Sequence, residues 1–152
     1  MPATKEEIIA GLIQAYNMEV ETIVNYLANS IHLDGVRADF VKQALTADIQ
    51  EEMTHAQQIG NRIKQLGGRI PGSQALKMTQ SDLQPPEDTT AVIDVIRGVL
   101  AAEESAIRHY NELIKKTDGV DYVTQDLMIS ILANEEAHRQ QFEGYLKEYT
   151  KS

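Results

Sequence analysis

The sequence contains no cysteine and no tryptophan, and its 152 residues include only two phenylalanines and four prolines. Without cysteine the chain forms no disulfide, no thiolate-ligated iron–sulfur cluster and no thiol nucleophile. No apolar run approaches the roughly 18 residues that a membrane-spanning helix needs. The first residues also lack the basic stretch and apolar core of a secretory signal, so we expect a cytoplasmic protein.

Basic residues are scarce as well. The chain carries 14 Lys and Arg against 23 Asp and Glu, which gives a net charge of −9. Nowhere do three basic residues follow one another, and an acidic surface repels phosphate backbones, so the composition argues against nucleic-acid binding. An acidic balance is compatible with cation binding but does not by itself predict it.

Sparse glycine and proline divide the sequence into four long helical segments. The capping-box sequence Thr4-Lys5-Glu6-Glu7 predicts the start of the first helix, and Asp34-Gly35 predicts its end. Gly67-Gly68 and Asp118-Gly119 end the second and third segments. The predicted helices cover about residues 5–34, 37–66, 88–116 and 121–149.

Apolar residues at helical spacing predict the buried faces of the first two helices. They lie at Ile8, Leu12, Ile23, Leu27 and Ile31, and at Phe40, Ala44, Leu45, Ile49, Ala56, Ile59, Ile63 and Leu66. Between the second and third helices, residues 67–88 form a long connection without clear periodicity, in which we expect a short helix around Gln74–Met78. Short, long and short connections predict an all-α four-helix bundle of antiparallel helix pairs joined by a crossover, in one domain over residues 1–152.

Each predicted helix carries a glutamate on its apolar, inward-facing row. The second and fourth helices add a histidine three residues later, in Glu-x-x-His sequences that place both side chains on one face. Four carboxylates in an apolar core are costly unless cations lie between them, and this donor set suits iron, manganese or zinc. The candidate metal ligands, which are also the candidate catalytic residues, are Glu19, Glu52, His55, Glu103, Glu135 and His138.

An internal repeat supports this selection. Glu19, Ile23 and Tyr26 recur at the same spacing as Glu103, Ile107 and Tyr110, and the two Glu-x-x-His sequences recur 83 residues apart. We choose Glu52 over Glu51 because the repeat counterpart of Glu51 is Asn134, which is not acidic. We choose Glu135 over Glu136 because only the Glu-x-x-His spacing recurs in both helices. We expect Glu21, Glu104, His32 and His109 to lie on the solvated surface. Two equivalent sets of ligands predict two metal ions rather than one.

This pattern resembles the ferritin-like superfamily, and within it bacterioferritins and the Dps-like ferritins that share their di-iron site. The resemblance covers about residues 5–150 and rests on Glu52-Met53-x-His55-Ala56 and on the 33 positions between Glu19 and Glu52. It implies that Glu19 and His55 bind one iron, that Glu103 and His138 bind the other, and that Glu52 and Glu135 bridge them. It further implies that Tyr26 and Tyr110 hydrogen-bond to these ligands.

The resemblance implies a ferroxidase that oxidises Fe(II) with O2 or H2O2 for iron storage, detoxification and protection from oxidative stress. Two iron ions per subunit are expected, with manganese or zinc as substitutes in the isolated protein. Met53 aligns with the methionine that holds haem between two bacterioferritin subunits, which makes haem a candidate cofactor. The simpler interpretation of Met53 is a packing residue of the bundle, and haem binding is the secondary one.

Only 14 residues follow His138, too few for the fifth helix of 24-subunit ferritins. We therefore expect a homo-oligomer built from dimers, with a dodecamer favoured over a 24-mer. Two other functions stay open: a di-iron or di-manganese enzyme that destroys peroxide without storing mineral, and a helical bundle with a purely structural metal site.

Overall fold

The computed structural model describes residues 2–151 and contains four long α-helices: α1 (Lys5–His32), α2 (Asp39–Gln65), α3 (Val92–Thr117) and α4 (Tyr122–Tyr149). Helix α1 packs along α2, α3 packs along α4, and α1 also contacts α3. Within the described residues there is no strand and no further long helix after α4. The predicted all-α bundle of antiparallel pairs with a long crossover is confirmed. None of the helices in residues 2–151 has the continuous apolar stretch that a membrane crossing requires.

Local sequence explains where the helices begin and end. The Thr4 side chain accepts a hydrogen bond from the backbone N–H of Glu7 at 3.2 Å, which satisfies one free donor at the start of α1. At the end of α2, Gly67 has a φ of +87°, and the N–H of Gly68 bonds to the carbonyl of Ile63. A left-handed residue after a helix favours glycine because it has no Cβ.

Three helix boundaries differ from the expectation by two residues or more. Helix α2 begins at Asp39 rather than at residue 37, because Val36–Ala38 form a 3-10 turn before it. Helix α1 ends at His32, and Leu33 is already extended, with a ψ of 135°. Helix α3 begins at Val92, four residues later than expected. The Asp88 carboxylate accepts the N–H of Thr90 at 2.9 Å and holds a turn there, which delays the helix.

The crossover between α2 and α3 lies against the bundle. Where a short helix was expected around Gln74–Met78, the chain forms one 3-10 turn, Ser73–Ala75. Further along, Leu83 is 1% exposed and belongs to the core. A Cβ on Gly98 of α3 would lie 2.4 Å from the Asp82 carbonyl oxygen, so only glycine at position 98 allows this close approach.

Two side chains expected on the surface are buried, and those predictions are wrong. The Glu21 carboxylate is covered by the crossover and accepts the backbone N–H groups of Thr79 and Gln80, each at 2.7 Å. His109 is 9% exposed, and its Nε2 lies 2.8 Å from the Gly11 carbonyl oxygen of α1. Helical periodicity alone could not show that another segment covers these positions.

The core consists of two apolar clusters, one in each half of the bundle. One surrounds Phe142 and Leu45, and the other surrounds Leu12 and Ile59. Three residues assigned to the buried faces lie instead on the outside of this chain: Leu27, Ile31 and Phe40, of which the last two are each 71% exposed. Their burial was predicted wrongly, because a bundle helix turns only part of its apolar surface toward its neighbours.

Candidate metal centre

A polar layer separates the two apolar clusters, and it contains all six predicted ligands. Each helix contributes one glutamate, and α2 and α4 each add a histidine one turn further along. The four glutamates are at most 2% exposed, His55 is 2% exposed and His138 is 6% exposed. The i, i+3 spacing within α2 and α4 explains why each Glu–His pair points to the same side.

The six side chains form two overlapping groups, each able to offer donor atoms within 4.8 Å of one another. Glu19 and His55 belong only to the first group, whereas Glu103 and His138 belong only to the second. Glu52 and Glu135 belong to both. The described residues therefore contain two adjacent sets of four donors that share two carboxylates, an arrangement suited to two neighbouring cations.

Both histidines direct Nδ1 into the polar layer. The Nδ1 atom of His55 lies 3.2 Å from Glu135 Oε1, 3.5 Å from Glu19 Oε2 and 3.7 Å from Glu52 Oε2.

The Nδ1 atom of His138 lies 3.5 Å from Glu52 Oε1, 3.8 Å from Glu103 Oε1 and 4.0 Å from Glu135 Oε2. Each imidazole thus faces three carboxylates, two of which are the shared pair.

Several donor atoms in this layer have no hydrogen-bond partner although water does not reach them. They are Glu19 Oε2, Glu52 Oε1, Glu103 Oε2, Glu135 Oε1 and the Nδ1 atoms of both histidines. Buried polar atoms are almost always paired, because an unpaired one costs about 1–3 kcal/mol. A set of unpaired oxygen and nitrogen donors facing one another fits bound cations.

Burial and crowding shift the pKa values of the carboxyl groups. Burial raises the pKa of Glu52 and Glu103 well above the ordinary value, and neighbouring carboxylates add to the rise. The pKa of Glu135 rises to about 8, first through burial and then through Glu52 and Glu19. Without a cation, this layer therefore retains protons that exposed carboxyl groups would lose near pH 7.

Two groups respond differently. Burial would lower the pKa of His55, but the nearby carboxylates of Glu135, Glu19 and Glu52 outweigh that effect and raise the pKa to about 12. Burial would raise the pKa of Glu19, but the neighbouring Glu52 and His55 side chains lower it instead. Bound divalent cations compete with these protons, so cation binding at this layer releases protons.

Two buried tyrosines cross between α1 and α3 to the outer carboxylates. The Tyr26 hydroxyl on α1 donates to Glu103 Oε1 on α3 at 2.8 Å, and the Tyr110 hydroxyl on α3 donates to Glu19 Oε1 on α1. Burial, together with the carboxylates of this layer, raises the pKa of both hydroxyls well above the ordinary value. Each tyrosine occupies one carboxylate oxygen and leaves the other free, as the unpaired Oε2 atoms of Glu19 and Glu103 indicate.

The remaining sequence candidates lie outside this layer. Glu104 is exposed and contacts Arg139 at 3.4 Å, and His32 is exposed as expected. Met53 is 44% exposed and borders an outer groove of about 680 Å³ between α1 and α2. Its place on the outside of the bundle separates it from the six predicted ligands.

Sequence reasoning missed a row of polar residues behind the histidines. Nε2 of His138 contacts Glu51 and lies 3.5 Å from Asp48 Oδ1, whereas Nε2 of His55 lies 3.1 Å from the Asn134 amide. Glu51 was set aside because its repeat counterpart is Asn134. The sequence signal was only that Glu51 and Asn134 each directly precede a predicted ligand glutamate; their contacts with the histidine of the opposite helix appear in the structure alone.

Comparisons with known proteins agree with this architecture. The family model for a ferritin-like domain matches residues 9–152. A curated relative from Pyrococcus furiosus, named DNA protection during starvation protein, is 29% identical over 144 residues, which are 93% of this chain and 77% of the relative.

Solved structures share the fold. A dodecameric thioferritin described as the bacterioferritin-related protein of Bacteroides fragilis superposes with a TM-score of 0.87 and 26% identity, covering 96% of this chain and 88% of the other. A ferritin-like diiron-carboxylate protein of Bacillus anthracis has a TM-score of 0.78 and 21% identity, covering 96% and 99%. The second similarity concerns the fold alone. The match to the family model over nearly the whole sequence confirms the predicted resemblance: this chain belongs to the ferritin-like family.

Proposed function

We propose that this protein is a ferroxidase that binds two Fe(II) ions as substrate in the polar layer of each chain and oxidises them to Fe(III). The observation that carries the proposal is the pair of overlapping donor groups that share Glu52 and Glu135. Glu19 and His55 would hold one ion, Glu103 and His138 the other, and the shared carboxylates would bridge them. Manganese or zinc fits the same donors in the isolated protein.

The charges of the layer support two divalent ions. Four carboxylates carry four negative charges when ionised, and two divalent cations offset them in a region that excludes water. When bound, two Fe(II) ions supply two electrons, which with two protons convert O2 to H2O2, or H2O2 to two molecules of water. The protein fixes the carboxylates and keeps bulk water out, while Tyr26 and Tyr110 each hold one oxygen of an outer carboxylate.

Assembly into a homo-oligomer is part of the proposal. Ile31 and Phe40 expose large apolar side chains on the outside of this chain, and such side chains favour burial against another subunit. The Bacteroides fragilis relative is described as dodecameric. We therefore propose a dodecamer built from dimers, with iron stored as mineral inside the shell.

The net charge of −9 bears on how such a protein would protect DNA, the property named for the Pyrococcus furiosus relative. A strongly acidic chain repels the phosphate backbone. Protection here would therefore come from consuming Fe(II) and peroxide rather than from contact with DNA.

Haem at Met53 is a separate, optional part of the function. The groove beside Met53 is open, and a second copy of the chain placed across it would supply a second methionine. Protein produced with ample iron and haem precursor would show a Soret band if haem binds, and the Met53→Leu variant would lose it. Absence of the band in the parent protein would remove haem from the proposal.

The decisive test measures iron retained per chain after aerobic loading with excess Fe(II) and desalting, with oxidation followed by absorbance. We expect retention far above two iron ions per chain and rapid oxidation. The variant E52Q/E135Q, which neutralises both shared carboxylates, should lose the rapid phase. E136Q is the matched control, because it removes the charge of an exposed carboxylate beside Glu135.

Other outcomes would select among the alternatives. Retention near two ions per chain would indicate a catalytic centre without storage, and turnover of H2O2 by the iron- or manganese-loaded protein would then indicate a peroxide-destroying enzyme. If E52Q/E135Q changed thermal stability but not iron oxidation, the metal site would be structural. No retention and no accelerated oxidation would contradict the ferroxidase.

A further inference from the structure

The two histidines of the polar layer have different groups behind them. Nε2 of His138, the nitrogen turned away from the layer, contacts the Glu51 carboxylate and lies 3.5 Å from Asp48 Oδ1. Nε2 of His55 lies 3.1 Å from the Asn134 side-chain amide. One imidazole is therefore backed by two anionic groups and the other by a neutral group.

The internal repeat allows equivalent positions in α2 and α4 to be compared directly. The predicted ligands match in pairs, Glu52 with Glu135 and His55 with His138, each 83 residues apart. With the same offset, Glu51 matches Asn134, and Asp48 matches Ile131, which is fully buried and apolar. The two halves of the centre are thus alike in the ligands themselves and differ in the groups directly behind the histidines.

This difference matters for cation binding. A histidine that binds a cation through Nδ1 carries its proton on Nε2, and a carboxylate that accepts this proton orients the ring and makes Nδ1 more basic. Behind His55 the neighbouring group is the Asn134 amide, whose Nδ2 lies 3.1 Å from His55 Nε2, and this neutral group contributes no negative charge. Loss of such a supporting partner costs metal sites about 10–100-fold in affinity.

Burial of Asp48 strengthens the interaction of its negative charge with His138. Asp48 is 6% exposed, and its Oδ2 has no hydrogen-bond partner, so its charge is poorly screened by water. Glu51 is half exposed and makes the direct contact with His138. The buried carboxylate supplies a nearby negative charge, and the exposed one accepts the proton.

We propose that Asp48 and Glu51 are positioning residues that make the half-site of Glu103 and His138 bind divalent cations more tightly than the half-site of Glu19 and His55. The inference rests on the proposed two-cation centre. It adds an order of filling: the first ion occupies the His138 half-site, and the second ion completes the pair at His55.

The test is a titration of metal-free protein with Zn²⁺ in competition with a chelator of known affinity, which needs no redox activity. The parent protein should bind two zinc ions in two resolved steps. E51Q and D48N should each weaken the first step by roughly tenfold and leave the second unchanged. N134D places a carboxylate behind His55 and should strengthen the second step. E136Q removes one negative charge at an exposed position and should leave both steps unchanged.

A spectroscopic signature separates positioning from a general effect on folding. In the protein loaded with one zinc ion, the side-chain ¹⁵N NMR spectrum should show His138 bound through Nδ1, with its Nε2 proton shifted downfield by the carboxylate acceptor. E51Q should move that proton resonance upfield while the circular dichroism of the protein stays the same. An Nε2 resonance that does not respond to E51Q would overturn the proposal.

The outcomes distinguish this inference from the function on which it rests. Two zinc ions bound with equal affinity, or a first step that neither E51Q nor D48N weakens, would overturn the filling order alone. Fewer than two zinc ions per chain would overturn the two-cation centre together with the filling order. A third zinc ion that D48N removes would overturn the positioning role, because Asp48 and Glu51 would then be ligands themselves.

Discussion

The apolar ends of this bundle and its polar middle use the same helical spacing for opposite purposes. The clusters around Phe142 and around Leu12 bury side chains that prefer to leave water, and so they stabilise the fold. The layer between them buries four carboxyl groups with unpaired oxygens, which costs stability unless a cation is present. The apolar ends therefore hold the helices together, whereas the polar layer lowers stability and is suited to binding cations.

The largest expected effect comes from removing a side chain at an apolar end. Phe142 is fully buried, and F142A should lower the free energy of unfolding by about 3–5 kcal/mol, because it removes apolar contacts and leaves a cavity. Chemical denaturation followed by circular dichroism measures this change. Tyr122 is 68% exposed, so Y122A is the matched control and should change the value by less than about 1 kcal/mol. Similar losses in both variants would contradict the assignment of Phe142 to the core.

A smaller effect of opposite sign is expected in the middle. E52M replaces a buried carboxyl group by an apolar side chain of similar size, and His55 keeps two other carboxylate neighbours, Glu19 and Glu135. We expect the metal-free variant to be more stable than the metal-free parent by about 1–2 kcal/mol. Zinc should stabilise the parent but not the variant. A metal-free E52M protein that is less stable than the parent would show that the polar layer supports the fold without a cation.

A pH dependence of the metal-free protein tests the protons that the polar layer retains. The pKa of Glu135 is about 8 in the folded chain, above the ordinary value of 4.5, so its contribution to stability is complete below 4.5 and disappears as the pH rises to about 8. The pKa of His55 is raised from 6.5 to about 12, so its contribution also declines as the pH rises above 6.5. Both changes act in the same direction between pH 6.5 and 8.5.

Thermal unfolding of protein dialysed against EDTA should therefore give a lower Tm at pH 8.5 than at pH 6.5. Each 1 kcal/mol of lost stability lowers the Tm of a domain of this size by roughly 2–4 °C. Protein saturated with zinc should show a smaller fall, because the cation has already displaced the protons. E135Q removes one titrating group and should reduce the fall in the metal-free protein. A Tm that rises with pH would contradict the raised pKa values.

The sequence predicted more of the centre than of its surroundings. Glu-x-x-His on two helices and the matched Glu19 and Glu103 follow from spacing within single helices, and the structure brings all of these side chains into one layer. Glu21 and His109 escaped prediction because the crossover covers one of them and the other packs beside a carbonyl of α1. No periodicity within one helix records a contact with another segment.

By itself, the sequence determined the four helices, their short and long connections, and a polar layer with equivalent donors in two halves. These features are local or periodic, and an α-helix converts spacing directly into a shared face. Only the tertiary structure decided that Glu51 and Asp48 lie behind His138 while Asn134 lies behind His55. This difference between the surroundings of the two histidines depends on how α2 and α4 face each other. The relative position of two helices is set by packing between them and is not recorded in the sequence of either one.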